Sequence, residues 1–145
     1  SRTTQTPHAP VPILELIKNS LHPWILKNPD QRDQISVNGT PVPTVKSEAA
    51  NSLSMIIQEL ASKSAKHGTL GPLGGSLDVT ISSPNSAENL ISWSESFDTP
   101  TKAILSDTPS GFGSTLLTHS VATLRGEFTR KLSPNGFTAE LRIPS

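Results

Sequence analysis

The sequence predicts a two-layer α/β sandwich, with a mixed, mostly antiparallel sheet and helices packed on one face. Three observations carry this. Apolar residues alternate at period two in paired runs, Leu77, Val79 and Ile81 and then Leu90, Ile91 and Trp93. Residues 47–67 hold Leu53, Ile56, Ile57 and Leu60 at helical spacing, the single apolar stripe of a helix lying on something flat. Asn-Gly pairs at 38–39 and 135–136 mark turns between strand-like runs. The resulting order is helix, hairpin, helix, hairpin, loop, helix, hairpin, which is the pattern of a sheet covered on one side.

Residues 1–10, polar with Pro7 and Pro10, read as a tail or linker, and the folded domain is expected over 11–145. Ile13, Leu14, Ile17 and Leu21 recur at helical spacing, and this helix is expected to stop at His22-Pro23-Trp24 because proline cannot continue it. A polar loop follows at 27–33. Residues 34–39 form a strand that runs through Asn38-Gly39 into a hairpin with Thr40-Pro41-Val42. After the long helix, Gly68 supplies the C-terminal stop and residues 71–75 a flexible connector. Asn85-Ser86 is the tip of the central hairpin. Residues 96–110 are rich in Thr, Pro, Ser and Asp and are expected to be a mobile surface loop, with Phe97 to Ser110 the most mobile internal part of the fold. Gly111-Phe112-Gly113 opens a further helix with Leu116, Leu117, Val121 and Leu124 at helical spacing. Strands around 127–132 and 137–143 close the chain, joined by Ser133-Pro134-Asn135-Gly136.

Composition excludes several classes of function. The chain has 145 residues, enough for one domain with its own core and no need of disulfides or metal. Lys plus Arg number 12 and Asp plus Glu 12, so no basic footprint for nucleic acid exists. There is no Cys, which removes disulfides and thiolate metal sites, and the four His lack HxxxH or HxH spacing, so no metal ligands are assigned. No apolar run reaches the length of about 20 residues that spans a bilayer. Ser1-Arg2-Thr3-Thr4 has no apolar signal segment, and a soluble, cytoplasmic chain cut from a longer protein is expected.

Three segments carry possible chemistry. In the first, Glu59 and Lys63 lie four apart on one helix face, with Lys66 and His67 on or beside it. Such a ridge suits phosphate through charge-assisted hydrogen bonds; the plainer reading is a solvated face with a helix ion pair worth about 0.3–0.5 kcal/mol. In the second, Trp93-Ser94-Glu95 at a strand end offers a carboxylate to an exocyclic amine; the plainer reading is a strand whose Trp packs in and whose Glu points out. In the third, Gly111-Phe112-Gly113-Ser114 precedes a helix, where backbone N–H groups meet anions; the plainer reading is a helix entry capped near Ser114. No Walker loop, nucleophile elbow or Cys/His pair is present, and His119 sits mid-helix without a catalytic companion.

Taken in order, the three segments resemble the catalytic ATPase domain of the HWE histidine kinases, named for their His, Trp and Glu motifs, within the wider group of GHKL ATPases with the Bergerat fold. The run from Ile57-Gln58-Glu59-Leu60 through Lys63, Lys66, His67 and Gly68 to Leu70 is similar to that family's N-box, written HELATNAxKYGAL. Trp93-Ser94-Glu95 looks like its WxE box, and Gly111-Phe112-Gly113-Ser114-Thr115-Leu116-Leu117 like its GFGxxLI box. Leu124-Arg125-Gly126-Glu127 and residues 136–141 follow its closing strands. The resemblance covers about residue 13 to the end.

It implies a catalytic carboxylate at Glu59 and nucleotide contacts from Glu59, Lys63, Lys66, His67, Glu95, Gly111, Gly113 and Ser114. ATP and Mg²⁺ are the implied cofactors. The implied partners are a histidine-bearing dimerisation domain of the same or another protein, whose His takes the γ-phosphate, and a response regulator that receives it on an aspartate. Departures fall at the same boxes. The family His before Glu-Leu is Gln58, and the Asn that helps hold Mg²⁺ is Lys63, a cation with three donors and no acceptor. Where the family places Gly-Gly-Pro after the WxE box, this chain has Ser96, Phe97, Asp98 and Thr99, and Phe97 is expected to obstruct the adenine pocket. A working kinase module with altered metal handling and a pseudo-kinase or phosphotransferase-like docking domain that acts through protein contacts without ATP both remain open at this point.

Overall fold

The computed structural model describes residues 9–27, 34–101 and 115–145. Its elements, in chain order, are β1 (Val11–Pro12), α1 (Ile13–Lys27), β2 (Ile35–Gly39), β3 (Thr44–Val45), α2 (Ser47–His67), β4 (Gly75–Asn85), β5 (Glu88–Phe97), α3 (Thr115–Thr123), β6 (Glu127–Ser133) and β7 (Gly136–Pro144). Five strands form one sheet in the order β2-β4-β5-β7-β6, and β1 pairs with β3 as a separate small ladder. β2 runs parallel to β4, and the other pairs of the large sheet are antiparallel. This is the mixed α/β sandwich that the apolar periodicities predict.

Period-two alternation decides which face is covered. Leu77, Val79 and Ile81 of β4, Ile91 and Trp93 of β5, and Phe137, Ala139, Leu141 and Ile143 of β7 are buried on one side. The residues between them, such as Asp78, Thr80, Thr138 and Glu140, stay exposed on the other. α2 supplies the opposing layer through Leu53, Ile56, Ile57, Leu60 and Ala61, all at most 3% exposed. Each of the Leu and Ile side chains contributes about 1.5–3 kcal/mol of hydrophobic free energy when removed from water.

α2 lies between the other two helices. Its Gln58 flank meets α1, where Gln58 Nε2 donates to the Ser20 carbonyl at 3.0 Å and Ser20 Oγ lies 3.1 Å from Ser54 Oγ. Its Met55 flank meets α3, where Ser120 Oγ approaches the Met55 sulfur at 3.9 Å. Among the described residues no helix is long and apolar enough to cross a membrane.

Several local expectations fail, each for a tertiary reason. α1 does not stop at Pro23 but continues to Lys27. Trp24, just past the proline, packs against the core and donates from Nε1 to Gln58 Oε1 at 3.3 Å, which anchors the last turn although Pro23 offers no N–H. The Asn38-Gly39 hairpin does not form. Gly39 has φ +139°, but a Cβ there would collide with the Ile81 backbone, so this glycine serves close parallel packing on β4. Pro41 and Pro43 cannot donate to a returning strand, and the chain instead reaches β3. The turn between β6 and β7 is Pro134-Asn135, and Gly136 pairs with Ser133 across it, so the Asn-Gly pair is not its centre.

The connector at 71–75 is an ordered turn, held by Gly71 and Leu73 N–H groups donating to the Gly68 carbonyl at 3.0 and 3.1 Å. The segment after β5 is also tied down. Phe97 N–H donates to Asn135 O, Asp98 N–H to Gly74 O, Thr99 N–H to Leu73 O and Thr101 N–H to Pro134 O. Residues 97–101 of the segment expected to be mobile are thus hydrogen-bonded to neighbouring turns, and residues 102–110 lie outside the described residues, as does the polar loop from 28 to 33.

α3 ends in a Schellman arrangement. Gly126 N–H donates to Val121 O at 3.0 Å and Arg125 N–H to Ala122 O at 2.9 Å. The left-handed residue there is Arg125, at φ 55°, where glycine is favoured. Replacing it by glycine removes a Cβ clash at the cost of extra freedom in the unfolded chain. Arg125→Gly is expected to raise the free energy of unfolding by about 0.5–1 kcal/mol. Urea denaturation checks this, and an equal loss would contradict it.

Candidate functional site

The C-terminal half of α2 and the end of β5 meet at a buried carboxylate. β5 alternates inward at Asn89, Ile91, Trp93 and Glu95, so Trp93 and Glu95 share the inner face. The expectation that Trp93 packs in while Glu95 points out is thus wrong: residues two apart on a strand lie on the same side. Glu95 is 4% exposed. Its Oε1 accepts from Ser64 Oγ at 2.8 Å and from the Thr69 N–H at 3.0 Å. Its Oε2 accepts from Trp93 Nε1 at 2.8 Å. Ser64 Oγ in turn accepts from the Leu70 N–H at 2.9 Å.

This network gives the Trp-x-Glu spacing a physical cause. An indole N–H buried in a sheet needs an acceptor, and a carboxylate two residues along the same face reaches it. It also assigns Gly68 a role other than a left-handed helix stop. Gly68 has φ −135° and ψ −145°, and a Cβ on it would stand 2.5 Å from Glu95 Oε1. The glycine lets the helix end close over the carboxylate. Gly136 does the same from the sheet side, where a Cβ would meet the Glu95 carbonyl at 2.6 Å.

The remaining α2 candidates occupy another flank. Glu59 and Lys63 follow Met55 at i+4 and i+8, so they extend the flank that faces α3. Both are half-buried, whereas Lys66 and His67 are exposed in the last turn. The Lys66 ammonium group and the His67 imidazole also lie at the negative end of the helix dipole. Gln58, which takes the place of the family's His, points to α1 and is used in helix packing. Phe97 keeps the inward parity of β5 and packs half-buried against the core. Gly111, Gly113 and Ser114 lie outside the described residues. The fold thus joins Glu95 to the end of α2, with Glu59, Lys63 and Lys66 along that helix.

Sequence reasoning did not single out Ser64, Thr69 or the indole of Trp93 as partners of Glu95. One signal was available: Ser64 continues the buried stripe Leu53, Ile57, Leu60 at i+4, i+3 and i+4, and a hydroxyl in an apolar stripe calls for a buried acceptor.

No protein-family model and no curated protein matches the chain. Solved structures do. The mycobacterial sensor histidine kinase MprB is 17% identical, over 94% of this chain and 97% of that one, with a TM-score of 0.64. The histidine kinase domain of the Erythrobacter litoralis blue-light activated kinase EL346 is 16% identical, over 97% and 69%, with a TM-score of 0.68. Full-length ShkA in complex with AMPPNP is 18% identical, over 97% of this chain and 31% of that one, with a TM-score of 0.64. The chain therefore has the fold of sensor histidine kinase catalytic domains.

Hydrogen bonds to a charged acceptor are worth about 1.5–3 kcal/mol, and a buried donor left unpaired costs about 1–3 kcal/mol. Glu95→Gln replaces one accepting oxygen by an NH₂ group that confronts a protein donor. It is expected to lower the free energy of unfolding by about 2–4 kcal/mol, while Lys66→Ala changes it by no more than about 0.5 kcal/mol. Urea titration of the two variants tests this, and equal small effects would rule out a network centred on Glu95.

Proposed function

We propose that the chain is the nucleotide-binding catalytic domain of a cytoplasmic two-component sensor histidine kinase of the HWE type, with an impaired Mg²⁺-ATP site. It would serve a histidine on a separate dimerisation domain and, through it, a response regulator. The observation that carries this is the Trp93–Glu95–Ser64 network, which sits at the family's WxE and N-box positions within a histidine kinase fold. A related fold in ShkA is described in complex with AMPPNP, which supports a nucleotide as the ligand class.

The residues present suit a polyphosphate better than a hydrated metal. Lys63 stands where an oxygen ligand for Mg²⁺ is expected, and Mg²⁺ requires near-octahedral oxygen coordination. A charged ammonium offers no lone pair and repels the ion. Lys63 and Lys66 can instead meet phosphate oxygens as point charges. The residues present do not fit a Mg²⁺ site of the family's kind. A second reading, a pseudo-kinase that acts through protein contacts alone, is favoured by the same Lys63 and by Phe97 beside Glu95.

Calorimetric titration with ATP, with and without Mg²⁺, tests the proposal on the unmodified chain and on Lys63→Asn. The unmodified chain is expected to bind ATP weakly, in the range of about 0.1–1 mM, with Mg²⁺ lowering the affinity. Lys63→Asn is expected to gain Mg²⁺-dependent binding. Micromolar, Mg²⁺-dependent binding by the unmodified chain would contradict the impaired site, and no binding by either would favour the docking module.

A further inference from the structure

We infer that β6 is a self-pairing edge, through which two copies of this chain join their sheets across a two-fold axis; this stands on the fold and not on the nucleotide reading. β6 lies at the end of the five-stranded sheet, and among the described residues its strand neighbour is β7 alone. An edge strand presents N–H and C=O groups that a further strand can take up, and natural edges are commonly blunted by shortness, proline or a bulge. β6 has seven residues, no proline and an unbroken register with β7 from Glu127 to Ser133.

The hairpin fixes which backbone groups face outward. Ser133 and Gly136 close a two-residue turn, so they form a hydrogen-bonded pair, and the two kinds of pair alternate from there. Ser133, Lys131, Thr129 and Glu127 therefore exchange bonds with β7. Phe128, Arg130 and Leu132 direct their backbone N–H and C=O away from it. A second copy laid antiparallel bonds through these groups, and a two-fold axis presents the same patch from both copies.

The side chains then select one register. Glu127, Thr129 and Lys131 stand exposed on the sheet face away from the helices. With Thr129 on the axis, Phe128 bonds to Arg130 of the second copy, Thr129 faces Thr129, and Glu127 faces Lys131 at both ends. The threonine and charge pairs are then of the non-hydrogen-bonded kind, which brings side chains closest, with Cα atoms about 4.5 Å apart. Opposite charges and paired threonines are both favourable in that position. Centring on Arg130 or on Lys131 sets that residue against itself, like charge on like, which is unfavourable. Centring on Phe128 leaves Glu127 facing threonine. Among the described residues neither Glu127 nor Lys131 is in an ion pair within its own chain, so both charges can serve the second copy. Charges that discourage a foreign strand thus complement this one arrangement. The opposite edge, β2, has five residues and none is charged.

A single strand edge is a small interface, so a weak, reversible dimer is expected, with Kd in the range of about 10–500 µM. Sedimentation equilibrium of the whole chain over a concentration range that brackets those values tests it. Glu127→Lys and Lys131→Glu are each expected to weaken the dimer by about fivefold or more, since each sets like charges face to face. An equimolar mixture of the two variants is expected to restore it, because one copy then carries lysine at both positions and the other glutamate at both. Both positions are exposed, and circular dichroism of each variant is expected to match the unmodified chain. An unmodified chain that stays monomeric throughout would overturn the inference. So would a dimer indifferent to both charge reversals, which would place the contact elsewhere, and so would two weakened variants whose mixture stays monomeric.

Discussion

The carboxylate of Glu95 lies where β5, the last turns of α2 and the turn at residues 68–75 come together, and each of these elements sends it a hydrogen-bond donor. Burying a carboxylate is costly unless its charge is met by directed donors. Three donors meet it here, and a fourth bond, from the Leu70 N–H to Ser64 Oγ, fixes the hydroxyl that forms one of them. The end of α2 is therefore held to the sheet by polar geometry, while its middle is held by Leu53, Ile56, Ile57 and Leu60. The apolar stripe sets the layer, and the carboxylate sets where the helix ends over it.

Much else follows from that closure. Gly68 and Gly136 are glycines because the backbone of each passes too close to Glu95 for a side chain. The turn at 68–75 is ordered because its first residues bond to the carboxylate and the Ser64 hydroxyl, and its last residues, Leu73 and Gly74, accept from Thr99 and Asp98. The segment leaving β5 is thereby fixed as far as Thr101. The Glu95 carboxylate is thus used to hold the fold where α2 ends over the sheet.

The layer architecture was legible because it depends on periodicity. Leu77, Val79 and Ile81 declare a half-buried strand, and the stripe of α2 declares a helix with one covered face, whatever surrounds them. The inward direction of Glu95 was legible by the same rule, since it shares parity with Trp93. The partners of β2 were not. Asn38-Gly39 looks like a hairpin locally, and only the approach of the Ile81 backbone reveals why the glycine is there. Pro23 likewise reads as a stop until Trp24 is seen bonded to Gln58 on another helix. The Ser64–Glu95 bond joins residues 31 apart in the chain, and no local pattern encodes such a pairing. Gln58 shows the converse: its place in the N-box suggests ligand chemistry, and its amide is engaged with α1.

The most direct measurement is native-state hydrogen exchange at the Thr69 and Leu70 amides and the Trp93 indole N–H. These protons bond within the Glu95–Ser64 network, although two of them belong to a turn. The account predicts that all three exchange as slowly as the backbone amides of Val79 and Ile91 in the central strands, and that all three speed up together in Ser64→Ala. Exchange of the Thr69 and Leu70 amides at the rate of an exposed turn, with Trp93 alone protected, would contradict it.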